Sequence, residues 1–453
     1  MTIGKLGNVV AVLAVFACAV LVASAAAESK ARIVRLSEVE GSVQMDRATG
    51  DGFEKAFLNM PVIEGAKLKT GDDGRAEVEF EDGSALRLMP KSEADFTHLA
   101  LGGDGQKLSM VQLIAGTAYV DVRGKKGDEF TLNFRNESVK LMEPAHFRVN
   151  LRGDEVVLAV FKGRVNVSGP SGQVEVAEKH SATFALAGDH YEMAKSIEPE
   201  RGDAWDKEQA EYHDRYAFTG NGVSSPYAYG WSDLNYYGSY MSCPGYGSFW
   251  QPFFMDASWN PFMDGGWVWY PGYGYMWVSA YPWGWMPYRY GSWNYVPACG
   301  GWGWMPGYWN TWYPVPPVVN PPRRMPIPQP PTRGRQIVMV GRGLSTTPPT
   351  PPIRRITIQP GSAGLGVPRG SVRHLDRYSH EVSKDARPVE VRTEPPARTA
   401  PVSTAAPARG GVYSGGSSEV HPSRPSGGGS PGMAPPRPAS PPSTPPPRST
   451  PPH

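Results

Sequence analysis

Cysteine is scarce in this chain, with three in 453 residues. The nine histidines are scattered, and His98, His146, His180, His190 and His213 show no His-x-x-x-His or His-x-His spacing. That pattern excludes the usual helical or strand-borne metal motifs. No Gly-x-Ser-x-Gly elbow is present, so the nucleophile turn of that hydrolase class is missing. Beyond the N-terminus no apolar run is long enough to span a bilayer. The last 140 residues, 314–453, contain no tryptophan and no cysteine, and only six acids against 18 Lys and Arg.

The N-terminus is organised differently. Lys5 precedes an uncharged apolar run, Val9 to Ala27, and small residues at 23–27 lead into Glu28-Ser29-Lys30. This layout predicts a secretory signal peptide over residues 1–27 and an exported chain, periplasmic, envelope-bound or secreted. An uncleaved anchor and a lipoprotein acceptor at Cys18 are the alternatives. In an oxidising compartment the remaining pair, Cys243 and Cys299, points to a disulfide rather than a metal site or a nucleophile. Closing a loop of roughly 57 residues contributes roughly 4 kcal/mol in the chain-entropy model.

Residues 30–195 read as one all-β domain. Arg75–Phe80, Ala85–Leu88, Thr117–Val122, Val156–Val160, Val165–Val167 and Val174–Val176 alternate apolar and polar positions, as half-buried strands do. Asp/Gly turns separate them at 71–74, 81–84, 152–154 and 169–172. A β-sandwich of jelly-roll-like kind is expected, large enough for a real core. Residues 196–226 read as a surface connector with one short helix that Asp203 caps.

Residues 227–313 hold 13 of the 14 tryptophans, with 15 tyrosines and four phenylalanines, against four charges: Asp233, Asp256, Asp264 and Arg289. Gly and Pro exclude long helices. Trp259-Asn260-Pro261-Phe262 with Gly265 and Trp267 recurs as Trp285-Met286-Pro287-Tyr288 with Gly291 and Trp293. A repeated small β unit with Pro/Gly corners is expected. Its rings either form its own core or leave an aromatic binding surface, with Trp267, Trp269, Trp277, Trp285, Trp293 and Trp304 as candidates. Asp256 and Asp264 are the acids to examine for glycan chemistry.

Residues 314–453 are rich in Pro, Ser, Gly and Arg, and predict a disordered tail with polyproline II character at Pro435-Pro436 and Pro445-Pro446-Pro447. Within it only Ile337–Val340 and Ile353–Ile358 have strand-forming composition. The tail carries a net +12 (18 − 6) and residues 1–313 a net −10 (27 − 37). Spread charge without a basic stripe argues against nucleic acid. Anionic envelope polymers, or no partner at all for a solubilising spacer, are the expectations.

The β-domain resembles the FecR domain over about residues 33–168. The resemblance rests on Gly41-x-Val43, Val62-x-x-Gly65, Leu68-Lys69-Thr70-Gly71, Ala76–Ser84, Leu113-x-x-Gly116, and Val160–Val167. The segment from Ser232 to Trp304 resembles the Tyr/Trp/Gly-rich module that follows FecR domains in some exported bacterial proteins. In sigma regulators of this family a cytoplasmic helical domain and a transmembrane helix precede the FecR domain. Here a signal peptide stands in their place, so the resemblance implies an exported interaction domain without anti-sigma activity. The expected protein is non-enzymatic, without cofactor or metal, and contacts envelope proteins or polysaccharide such as peptidoglycan. A periplasmic FecR-type signalling component and a cell-wall polysaccharide-binding or -processing protein are the alternatives.

Overall fold

The alternating runs between residues 34 and 194 fold into two nine-stranded sheets. The computed structural model describes residues 32–185, 190–218, 220, 223–325, 327–345 and 355–393. The expected signal segment, Cys18 and the polyproline stretches lie outside the described residues.

Edge to edge, the first sheet is Tyr191–Ala194, Ser181–Ala185, Glu155–Lys162, Ala145–Arg152, Thr117–Val122, Ala85–Leu88, Arg75–Glu79, Val34–Glu40 and Pro61–Val62. The second is Gly172–Ala177, Arg164–Gly169, Glu137–Leu141, Glu129–Phe134, Lys107–Ala115, Glu93–Leu101, Lys67–Thr70, Val43–Asp46 and Glu54–Lys55. In the order given, sequence position falls along both sheets together, apart from the last strand of each, Pro61–Val62 and Glu54–Lys55, which lies outside an earlier strand. The chain therefore winds progressively, crossing between layers as it advances, and lays down a two-layer sandwich without long Greek-key returns. Pairing is antiparallel except between Lys107–Ala115 and Glu129–Phe134. Val34, Leu36, Val78 and Leu86 from one sheet share a core with Leu68, Phe96, Val111 and Leu132 from the other.

The aromatic stretch forms three hairpins: Gly238–Cys243 with Gly247–Pro252, Gly265–Tyr270 with Gly274–Ser279, and Ser292–Val296 with Gly301–Met305. Each has a glycine at or just before its first strand, lying under a tryptophan of its second. A Cβ on Gly238 would sit 2.4 Å from the Trp250 ring, and one on Gly265 would sit 2.6 Å from the Trp277 ring. Gly291 faces Trp304 in the same way. Only a residue without a side chain lets the indole lie flat across the strand. This contact is the structural content of the repeat, and Gly238 with Trp250 is a copy that the Trp-x-Pro spacing does not reveal. The repeats differ locally: Trp259 closes the turn that Asp256 begins, whereas Trp285 precedes the one-turn helix Met286–Arg289.

Two expectations need correction. The helix Asp203–Arg215 is no surface connector, because Trp205, Asp206, Gln209, Tyr212 and His213 are buried. Its polar residues meet opposite charges on the first sheet, so burial does not leave them unpaired. Asp203 does not cap it; Gly202 holds that position, and Asp203 accepts from the Tyr119 hydroxyl at 2.7 Å. The expected disorder also does not hold over residues 314–345 and 355–393. Val318–Val319 and Val338–Val340 add strands to the hairpin sheets, and Leu375–Asp385 is a helix. This stretch cannot bury a core of its own, but Ala363, Val367, Val372 and Leu375 are buried in the common one.

Candidate functional site

The six candidate tryptophans do not form a surface. Trp277, Trp285, Trp293 and Trp304 are fully buried and Trp267 is 1% exposed. Trp283 lies at their centre, with ring centroids 4.9 Å from Trp250, 5.0 Å from Tyr281 and 5.9 Å from Trp293. The rings are core because the neighbours help to bury them: the β-domain from one side and residues 314–393 from another. Trp269 alone is half-buried, and the Arg335 guanidinium lies over its ring at 4.7 Å. Arg289 is buried between Trp285 and Trp312 and donates to the carbonyls of Trp277 and Pro314. Burial pushes its guanidinium down to about 10.

Cys243 and Cys299 are joined, with Cα atoms 5.9 Å apart. The bond fastens the first hairpin to the third. Asp256 and Asp264 occupy separate networks. Asp256 caps a turn by accepting from the Ser258 and Trp259 amides. Asp264 accepts from the Arg342 guanidinium at 2.8 Å and the Tyr281 hydroxyl at 3.1 Å, which together hold its carboxyl below the usual range against the opposing effect of burial. Asp73 and Asp82 are turn acids too: they accept from the amides of Ser42 and Ser84. Among the described residues no group of three His, Cys, Asp or Glu side chains is placed to hold a metal, and no helix is long and apolar enough to cross a membrane.

The chemistry concentrates at the junction of β-domain and module. The outward face of three neighbouring strands carries charges of both signs. Glu77 stands across from Arg87 on one side and Glu38 on the other, and Glu79 across from Arg35. Helix Asp203–Arg215 brings Asp206 to Arg87 at 2.8 Å and His213 to Glu77 at 2.9 Å. The helix Trp231–Tyr237 brings Asp233 to Arg35 at 2.6 Å. The Gly230 amide donates to Glu79, and Asn59 donates to the carbonyls of Ser279 and Tyr281. Arg369 enters from the C-terminal stretch, 2.8 Å from Glu77 and 3.2 Å from Asp233.

Five carboxylates, Glu38, Glu77, Glu79, Asp206 and Asp233, thus face Arg35, Arg87, Arg369 and His213. Burial alone would raise every acid. For Glu77, the charges of His213, Arg87 and Arg369 overcome burial and hold it well below the usual range. Arg369 and Arg35 likewise outweigh burial at Asp233 and lower it. Glu38 has Arg369 only at 3.7 Å, and burial pushes it up to about 7. Sequence reading missed this network. Its acids and arginines were visible as the polar half of alternating strands, but which charge opposes which depends on register. Arg369 lay in a stretch whose composition pointed to disorder.

Beside the junction is an open groove of about 470 Å³, lined by Arg215, Tyr216, Asn235, Tyr236, Phe253, Arg373, His374, Leu375 and Asp376. Arg215, Arg373 and His374 are exposed there, and Tyr216 and Phe253 are half-buried. The lining suits a ligand with an anionic group and an apolar body.

Residues 66–166 match the family model described as FecR protein. The chain carries a FecR domain. Residues 231–320 match a second model, a family of unknown function (DUF6600), which covers the three hairpins. No curated protein matches the chain. Among solved structures it is similar to two crystal structures of a proposed anti-sigma factor from Parabacteroides distasonis ATCC 8503. They are 17% and 15% identical, with TM-scores of 0.27 and 0.26, covering 33% of this chain and 72% and 71% of theirs. The junction network joins the two matched regions: Glu77, Glu79 and Arg87 belong to the FecR match, and Asp233 to the second.

Proposed function

We propose that this protein is a non-enzymatic, exported FecR-type component that acts through contacts with other envelope proteins, in signal relay or in building the envelope. The observation that carries this is the FecR domain, fused through a continuous core to a second module most of whose tryptophans are committed to packing. A polysaccharide platform needs a face of exposed rings, whereas among the six candidate tryptophans only Trp269 is half-open, beneath Arg335. The groove at Arg215 and Arg373 is the surface best suited to hold a partner, by an acidic side chain or terminus. A second possibility, contact with an anionic envelope polymer, is favoured by the same guanidiniums and by the Tyr216 and Phe253 rings.

Photo-crosslinking groups at positions 215 and 373 of the exported chain, with a parallel pull-down on insoluble peptidoglycan and a polysaccharide panel, test this. A protein adduct from the envelope that disappears on competition by an acidic peptide, together with no glycan retention, is the expected result. Retention on a glycan that is lost with Arg215→Glu and Arg373→Glu, without any protein adduct, supports the polymer instead.

A further inference from the structure

The Arg369 side chain sits in a socket assembled from separate elements. Its guanidinium donates to the Ser37 carbonyl at 2.6 Å, Glu77 at 2.8 Å, Asp233 at 3.2 Å and Gln209 at 3.2 Å. The Tyr212 ring lies under it at 5.0 Å. The side chain is 6% exposed, and those of Glu77 and Asp233 are 0% and 1% exposed. A planar fork of donors over an aromatic floor is what this arrangement fits; a lysine ammonium reaches fewer of these acceptors at once.

The segment that supplies the arginine packs Ala363, Val367, Val372 and Leu375 into the common core, but it is separate in its strand pairing and lies outside the family matches. Residues 355–393 lie outside both family-matched regions. Their two strands, Arg355–Ile358 and Val389–Arg392, pair with each other and extend no sheet of the body. The segment is held largely by side chains: the hydroxyls of Tyr237 and Tyr236 donate to the carbonyls of Val367 and Val372, and the Trp283 indole donates to Ala363. Both sheets of the FecR domain and all three hairpins keep their ladders without it.

The socket itself cannot simply open. Glu38 and Glu77 are cross-strand neighbours, and Asp233 faces them. Removing Arg369 takes its ion-pair partner from buried Glu38 and one of several cations from Glu77 and Asp233, which keep Arg87, His213 and Arg35; the vacated place favours another cation of the same shape.

We propose that this is a guanidinium-recognition site, occupied here by the chain's own segment as an intramolecular ligand, and that an arginine-bearing segment of a partner protein takes the place of Arg369. The recognised pattern is read from the resident ligand. An apolar residue lies two positions before the arginine, as Val367. A glycine follows it, as Gly370, where a Cβ would come 3.1 Å from the Tyr212 ring. The proposal does not depend on which partner the groove engages.

A protease site placed in residues 346–354 of the full chain allows the test. After cleavage, a labelled peptide of residues 355–393 is offered in excess. The expected result is saturable exchange, weakened about 100-fold or more by Arg369→Gln in the peptide and less by Arg369→Lys. In a second arm, the uncut chain carrying Arg369→Gln binds the wild-type peptide, while the wild-type uncut chain does not. Exchange that is absent in cleaved protein, or a Gln peptide that competes as well as the Arg peptide, overturns the proposal. If the Arg369→Gln chain does not fold, the cleaved wild-type protein alone decides.

Discussion

In the FecR domain the core is aliphatic, and neighbours such as Val34, Leu36, Val78 and Leu86 interdigitate between two sheets. In the aromatic module the core is tryptophan and tyrosine, and strands make room for rings by omitting side chains, as Gly238 does for Trp250 and Gly265 for Trp277. The first strategy uses many small contributions spread along an alternating pattern. The second concentrates burial in a few large planar groups, each dependent on one neighbour. A module of 87 residues cannot enclose that many rings alone, and it borrows walls from the domain before it and from residues such as Val318, Val340 and Leu344 after it. Sharing a core is therefore a condition of its folding, not an accident of connection.

Four tests break or sharpen this comparison. Trp283→Ala removes the central ring and is expected to destabilise by about 3–5 kcal/mol, with Leu86→Ala in the FecR domain at the low end of that range. Because the two regions share a core, urea unfolding followed by far-ultraviolet dichroism and by tryptophan fluorescence should give one coincident transition in each variant. Two separated transitions would show that the modules are independent. Replacing Cys243 and Cys299 with serine is expected to lower stability by about 2–4 kcal/mol, seen as a lower urea midpoint.

The third change tests the junction. Glu38 ionises in the folded state only near pH 7, above its ordinary 4.5. The folded chain thus holds a proton that the unfolded chain releases. Its contribution is full below about pH 4.5 and is lost as pH rises through 7, by up to about 3 kcal/mol. Glu38→Gln should flatten this fall, so that the variant gains on wild type between pH 5 and 8 in denaturant titrations. A constant difference across that window would remove Glu38 as the titrating group. The smallest effect is expected for Arg335→Ala, about 0.5–1 kcal/mol, with easier acrylamide quenching of Trp269 as the direct readout.

Much of the FecR domain was legible, because alternation and Asp/Gly turns are local signals. The strands at 85–88 and 117–122 are where the pattern places them. The hairpins were legible as a repeat, though the Trp-x-Pro spacing hid that glycine opposite tryptophan is the invariant contact. The aromatic surface was not predictable, since burial of a ring depends on what surrounds it and not on its neighbours in sequence. Val367 and Val372 look like isolated valines in a Pro/Gly stretch and become core only against Tyr237 and Tyr236. The charge network at Glu77 needed register across three strands and two helices.

The covalent link between the first and third hairpins has one more consequence. Cys243 and Cys299 enclose the whole second hairpin in a closed ring of chain. A peptidase that cuts once between them produces two polypeptides that still travel as one, and a reductant is needed to part them. The module thus tolerates a nick at the exposed Tyr273 turn without shedding half of itself.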